Sequence, residues 1–309
     1  MAQILVIKLG ALGDFVQALG PFAAIRRHHK DDRITLLSTA PYVEIAEATG
    51  YFDTVWVDEK PRRFQFLAWM KLRRKLRGGG FSRVYDLQTS ERSSLYYFLF
   101  QPEPTPEWSG IARGCSHPHA NPRRNDMHTF ERQAEQLAMA GIDDVLPPDL
   151  SWAKADLAAF DLPGRYALVV PGGAAHRPNK RWPAAYFTGL ARWLATQEIT
   201  PLLLGGEAEK PLCEEIGEGC PEAVNLAGKT TLAEIAALAK GAELALGNDT
   251  GPMHLIAAVG CRSVVLYSKA SNPVLCGQRG ARVEIIRCEN LNELSVEEVT
   301  VTLMGERPS

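Results

Sequence analysis

The sequence predicts an α/β protein made of two Rossmann-like, doubly wound domains, residues 1–150 and 151–309. Three observations lead there. The 309 residues suit two domains of roughly 150 each. Short apolar, β-rich runs alternate with helix-length amphipathic segments in two separate blocks, which is the rhythm of parallel sheets with helices on both faces. A Pro-rich stretch, from Pro147-Pro148 to Pro163-Gly164, lies between the blocks as a linker.

In the first block, Gln3–Lys8, Arg33–Leu37, Thr54–Val57 and Arg83–Leu87 read as strands, with Asp14–His29, Pro41–Thr49 and Phe64–Arg77 as helices between them. Gln101–Asn125, rich in Pro, Gly, His and Arg, reads as a long loop beside the ligand cleft. In the second block the strands are Tyr166–Val170, Thr200–Leu204, Ala223–Asn225, Glu243–Leu246 and Ser263–Tyr267. The helices are Pro183–Gln197, Glu209–Gly217, Thr231–Lys240 and Pro252–Gly260. Open α/β sheets bind ligands beyond the carboxyl ends of their strands. Two such domains facing each other would form a cleft, so the strand ends are where chemistry is sought.

Composition narrows the function. Apolar residues make up 46% and charged residues 23%, enough for real cores. A net charge of −2 argues against a nucleic-acid partner. No run approaches the roughly 20 apolar residues of a membrane-spanning helix, and Met1-Ala2-Gln3-Ile4 enters a strand without a signal-peptide pattern, so a cytoplasmic location is expected. The six cysteines are scattered without a C-x-x-C pair, which favours free thiols over zinc or disulfides.

Four strand ends carry candidate chemistry. The first runs into Leu9-Gly10-Ala11-Leu12-Gly13-Asp14. Gly10 and Gly13 allow close backbone approach, but G-x-x-G lacks the first glycine of a dinucleotide fingerprint. Asp14 stands where a pyrophosphate would compete for helix N–H groups, so it is either a helix N-cap or a general base facing a ligand, and the two are not exclusive. In the second block, Gly247-Asn248-Asp249-Thr250-Gly251-Pro252-Met253-His254 opens a helix. Pro252 fits the first turn, the N–H groups from Gly251 onward suit a diphosphate, Asp249 suits sugar hydroxyls, and His254 suits a positioning role. Strand Tyr166–Val170 ends in Pro171-Gly172-Gly173-Ala174-Ala175, with Lys180 and Arg181 placed to neutralise a leaving diphosphate. Lys180 could equally be a solvated helix-start lysine. Strand Thr200–Leu204 ends in Gly205-Gly206-Glu207-Ala208-Glu209, where either acid could hold ribose hydroxyls or simply be solvated.

Two further regions bear on an acceptor. Lys60 to Arg83 holds nine basic residues and no acid, interleaved with Phe64, Phe66, Leu67 and Trp69. It reads as a basic amphipathic helix for an anionic acceptor or an anionic lipid surface, or as an ordinary helix with a basic outer face. Arg62 and Arg63 lead into it, and Arg113, Arg123 and Arg124 could also contact anionic groups. His117 and His119 have no acid–His spacing that supports a metal site, so no metal is assigned.

Together, Lys8-Leu9-Gly10-Ala11-Leu12-Gly13-Asp14, Pro171-Gly172-Gly173 with Asn179-Lys180-Arg181-Trp182-Pro183, and Gly247–His254 resemble glycosyltransferase family 9, the ADP-heptose:lipopolysaccharide heptosyltransferases. Met127-His128-Thr129-Phe130-Glu131-Arg132 loosely resembles a helix start of that family. The resemblance implies a GT-B fold, with the acceptor on the N-terminal domain and the nucleotide sugar on the C-terminal one. It implies that Asp14 is the base of a single inverting displacement, that Lys180 steadies departing ADP, and that Asp249, Thr250 and Gly251 hold the diphosphate and sugar. Donor contacts would then involve Gly172, Gly173, Lys180, Arg181, Glu207 or Glu209, and Asp249, Thr250, Gly251, Pro252 and His254. Acceptor contacts would involve Gly10, Gly13, Arg62, Arg63, Arg113 and Arg123. The implied partners are an ADP-sugar and an anionic glycolipid or glycan, with no metal cofactor and a peripheral contact with the inner membrane as an option. A nucleotide-sugar epimerase, a dehydrogenase and a non-catalytic sugar-nucleotide binder are the alternatives. A dehydrogenase would need an acid after a second strand, whereas Asp31 and Asp32 only follow the first helix.

Overall fold

A computed structural model of the chain describes residues 1–305 apart from Glu103 and Ala175. Ala175, in the glycine turn after Val170, therefore lies outside the described residues, as do residues 306–309. The chain divides into two compact units, the first ending at Trp152 and the second beginning at Ala153. Each holds a six-stranded, wholly parallel sheet.

The first unit contains β1 (Gln3–Ile7), α1 (Leu12–Gln17), α2 (Leu19–His28), β2 (Arg33–Ser38), α3 (Val43–Ala48), β3 (Thr54–Val57), α4 (Phe66–Gly78) and β4 (Arg83–Asp86). It continues with α5 (Glu91–Leu99), β5 (Glu107–Gly110), β6 (His117–Pro118) and α6 (Thr129–Ala138). The sheet order is β3-β2-β1-β4-β5-β6. β1 is an unbroken apolar run because both of its faces are covered: Ile4, Leu5, Val6 and Ile7 are all buried. Leu5, Ile7, Val84 and Trp108 pack on one face with Leu72 and Leu76 of α4 and Tyr96 of α5.

The second unit contains β7 (Tyr166–Val170), α7 (Ala184–Thr196), β8 (Thr200–Leu203), α8 (Lys210–Gly219), β9 (Val224–Asn225) and α9 (Leu232–Gly241). β10 (Leu244–Asn248), α10 (Gly251–Ala258), β11 (Ser263–Tyr267), α11 (Pro273–Cys276), β12 (Val283–Arg287) and α12 (Val296–Met304) complete it. The order β12-β11-β10-β7-β8-β9 is, counted within the unit, the same doubly wound topology as the first. Val169, Leu203, Leu246 and Val264 pack with Phe187, Leu190 and Leu194 of α7, and α12 closes that layer through Val299 and Leu303.

Three expectations need correction. The helix expected over Asp14–His29 is two helices meeting at Ala18. Pro21 has no N–H to give to the carbonyl of Gln17 and its ring crowds that carbonyl, so the ladder breaks there. The loop expected over Gln101–Asn125 contains β5 and β6, which extend the sheet beyond β4. Asp14 is not an N-cap: Ala11 holds that position without a side-chain cap, and Asp14 lies in the first turn of α1.

Candidate active site

Doubly wound sheets bind ligands where the strand order reverses. In the first unit this point lies between β1 and β4, paired from Ile4↔Arg83 to Ile7↔Asp86. In the second it lies between β7 and β10, where Val170 pairs with Gly247. Asp14 and its glycine turn follow β1 at the first, and the Asp249–His254 run follows β10 at the second.

At the first, β1 delivers Lys8, Gly10 and then Asp14. Asp14 is half-buried and has no ion pair within 4 Å among the described residues. Lys8 is buried, and its Nζ donates to the Leu87 carbonyl at 3.0 Å. Burial pulls the Lys8 ammonium below the usual lysine range, while the negative charges of Asp14 and Asp86 act in the opposite direction. Burial also raises the Tyr42 hydroxyl, with the Asp14 charge adding to the effect. Gly10 adopts φ +111°, and a Cβ there would lie 2.8 Å from the Tyr42 ring, so this close approach requires glycine. Lys60 Nζ reaches the Leu9 carbonyl at 3.1 Å, bringing one cation of the basic run to this edge. Beneath it, burial pushes the Asp86 carboxyl up to about 6 even though it accepts the Thr89 and Gln88 N–H groups.

The acceptor-side arginines are dispersed. Arg62 and Arg63 are exposed in a segment fastened by Trp69 Nε1, which donates to the Arg62 carbonyl at 3.0 Å. Arg113 is exposed in the turn after β5. Arg123 faces solvent, 3.8 Å from Asp126. It is Arg124 that turns inward, its guanidinium lowered by burial and by the neighbouring Arg132 charge. His128 caps α6, accepting the Phe130 N–H at 3.2 Å.

At the second switch point the parts are fixed to one another. Asn248, fully buried, donates through Nδ2 to the carbonyls of Pro171 (2.8 Å) and Gly172 (3.1 Å), and its Oδ1 accepts the Trp182 N–H at 3.0 Å. One amide thus fastens the glycine turn after β7, the segment holding Lys180 and Arg181, and the end of β10. Lys180 Nζ donates to Asp249 Oδ2 at 2.7 Å. Asp249 also accepts from Ser271 Oγ (2.6 Å) and Gln278 Nε2 (3.4 Å). Burial pushes the Asp249 carboxyl up, but the hydrogen bonds from Lys180 and Ser271 outweigh it and hold the group below its ordinary range. Asp249 thus pairs with Lys180 inside the unit, a role the sequence did not signal beside the expected one toward sugar hydroxyls.

Thr250 N-caps α10 without a side-chain hydrogen bond, and Gly251 and Pro252 form its first turn. The Thr250 hydroxyl is buried and unpartnered among the described residues. His254 is buried one turn further along. Arg181 folds back to donate to the Gly173 carbonyl, leaving its buried Nε without a partner among the described residues. Glu209 is occupied by its own turn, accepting the Gly206 N–H at 3.0 Å, and its side chain lies against Gly172. Glu207 is exposed at the end of β8, 2.7 Å from Lys210. Ser271, Gln278 and Asn248 were not anticipated as site residues. Only Asn248, inside the glycine-rich run, carried any local signal.

Among the described residues no group of three or more His, Cys, Asp or Glu is placed to hold a metal ion. What these edges offer is a carboxylate at one switch point, and a fixed cation with a side-chain-uncapped helix N-terminus at the other.

Two doubly wound units of this kind define a GT-B fold, and solved structures agree. The glycosyltransferase family 9 structure from Veillonella parvula matches with a TM-score of 0.84 at 20% identity, covering 99% of this chain and 97% of that one. The structure of E. coli ADP-heptose lps heptosyltransferase II matches with a TM-score of 0.78 at 22% identity, covering 98% of both. In sequence, the description of glycosyltransferase family 9 (heptosyltransferase) matches residues 69–302, and the chain belongs to that family. A curated relative, lipooligosaccharide heptosyltransferase 2 of Haemophilus influenzae, is 39% identical over 104 residues. That alignment spans 32% of this chain and 30% of the relative.

Proposed function

We propose that this chain is an inverting glycosyltransferase that moves a heptose from ADP-heptose to an inner-core lipopolysaccharide or related surface-glycan acceptor. One observation carries the reading: equivalent switch points hold a carboxylate, Asp14, on one sheet and a held cation, Lys180, beside the α10 N-terminus on the other. Family membership and the names of the similar heptosyltransferases support the sugar and the nucleotide.

In this account Asp14 takes the proton of an acceptor hydroxyl, whose oxygen attacks the anomeric carbon as the bond to the ADP oxygen breaks. Negative charge then grows on the diphosphate. Lys180 and the first N–H groups of α10 meet it as fixed charges and dipoles that need no reorganisation. Asp249 keeps Lys180 in place before the donor arrives. Glu207, the acid left exposed at the end of β8, is assigned to the ribose in preference to Glu209. Arg62, Arg63, Arg113 and Arg123 are assigned to anionic acceptor groups, and the reaction is placed on the cytoplasmic side.

A thermal-shift panel tests the donor. Specific ligands raise apparent stability by mass action, by about 2.7 kcal/mol at 100 Kd. ADP and ADP-heptose should raise the melting temperature above UDP- and GDP-sugars at equal concentration. A preference for UDP-sugars would redirect the reading to the epimerase class.

A further inference from the structure

The face of α4 turned to solvent is not that of an ordinary surface helix. Its inner face meets the core through Leu72 and Leu76, with Trp69 partly buried against the same cluster. Yet Phe66 and Leu67 in its first turn are 70% and 82% exposed, and Met70 is also exposed. Phe64, just before the helix, is 79% exposed. The adjacent α5 adds exposed Leu95 and Phe98, spaced i, i+3 on one face. Clustered exposed aromatic and aliphatic side chains mark an interaction surface.

Charge decides between occupants. Leu67, Met70, Lys71 and Arg74 follow one outward stripe at helical spacing, apolar in the first turn and cationic in the next. No acid occurs between Lys60 and Arg83. Glu59, 3.6 Å from Lys71, engages one of these cations, while Arg74 is exposed with no ion pair among the described residues. A second copy of the chain seated here would set like cations against each other. An anionic bilayer satisfies both halves of the stripe, with rings and aliphatics entering the headgroup–acyl boundary and ammonium and guanidinium groups meeting lipid phosphates.

We propose that the Phe64–Arg74 face docks the protein on an anionic lipid bilayer. α4 follows β3 and runs back against the strands, so its apolar first turn lies at the carboxyl edge of the sheet that also bears Asp14. Docking would hold that edge at the lipid surface. The use of this placement for an acceptor rests on the transferase reading; the docking itself does not.

Co-sedimentation of the full chain with vesicles, without donor or acceptor, tests the proposal. The wild type should bind phosphatidylethanolamine–phosphatidylglycerol vesicles, bind phosphatidylcholine vesicles far less, and release as salt rises. F66S/L67S and K71Q/R74Q should each lower partitioning roughly tenfold or more, with melting temperatures unchanged because all four side chains are exposed. Asp14→Asn should bind like the wild type even if transfer is lost, which separates this proposal from the enzymatic one. Wild-type failure to bind, equal binding to phosphatidylcholine, or variants that partition normally would overturn it. So would a wild-type dimer that F66S/L67S converts to monomer, since the face would then belong to a second copy.

Discussion

Asp249→Asn should destabilise the second unit more than Lys180→Met does, and the two effects should be strongly coupled. Lys180 and Asp249 meet at 2.7 Å with side chains only 13% and 8% exposed. Removing one partner of a buried pair costs about 3–5 kcal/mol, and residual solvent at Lys180 reduces this to about 2–3 kcal/mol. In a unit of this size that corresponds to a fall in melting temperature of about 4–12 °C. The opposite change is milder. Without Lys180, Asp249 still accepts from Ser271 and Gln278, so the expected cost is about 1–2 kcal/mol. Calorimetric unfolding of the wild type, both single variants and the double variant closes the cycle. The coupling should be about 1 kcal/mol or more. Because the Asp249 carboxyl is held below its ordinary range, the pair's contribution is fully present above about pH 4 and is lost as pH falls through the folded value. Additivity within about 0.5 kcal/mol, or a costlier Lys180→Met, would refute the assignment of Asp249 as the group that holds Lys180.

Other consequences are simpler. Asp86, raised to about 6 by burial, binds its proton more tightly folded than unfolded. Its contribution to stability should therefore decline by about 2 kcal/mol as pH rises from about 4 to 6, and denaturation of Asp86→Asn should lack that slope. Gly247→Ala places a Cβ 2.7 Å from both the Val170 side chain and its carbonyl, where β7 and β10 pair. A loss of about 1–3 kcal/mol is expected, read as a lower melting temperature. Gly50→Ala meets no atom within 4 Å and only its φ of +68° opposes it, so about 1 kcal/mol is expected there.

Much of the fold was written in local pattern. β1, β2, β4, β7, β8, β10 and β11 are largely buried and appear as mostly apolar runs, while the partly buried β3 shows through its β-branched and aromatic residues. What stayed hidden lacks such a signal. β5 and β6 are four and two residues long, in a stretch crowded with Pro, His and Gly. α5 begins with a Ser90–Ser93 capping box in place of the familiar Ser/Thr with Glu/Gln, and α6 is capped by a histidine. The break at Ala18 was legible from Pro21, given attention to the carbonyl four residues earlier. At the site, glycines, Lys180 and Asp14 stood out as residue types at strand ends. The connections of Asn248 to Trp182 and Pro171 cross 66 and 77 residues, and those of Asp249 to Ser271 and Gln278 cross 22 and 29. Such partners are brought together by strand order and cannot be read from any window of sequence.

The role proposed for the Asp14 carboxylate is that of the base in transfer of a heptose from ADP-heptose. Its most direct measurement is turnover of ADP-heptose with a lipopolysaccharide-core acceptor by the wild type and Asp14→Asn, with the product's anomeric configuration read by NMR and ADP affinity by calorimetry. The account predicts one added heptose with inverted configuration, kcat lower by about 10²–10⁴ in the variant, and an unchanged Kd for ADP. Retained configuration, or an Asp14→Asn enzyme that turns over like the wild type, would contradict it.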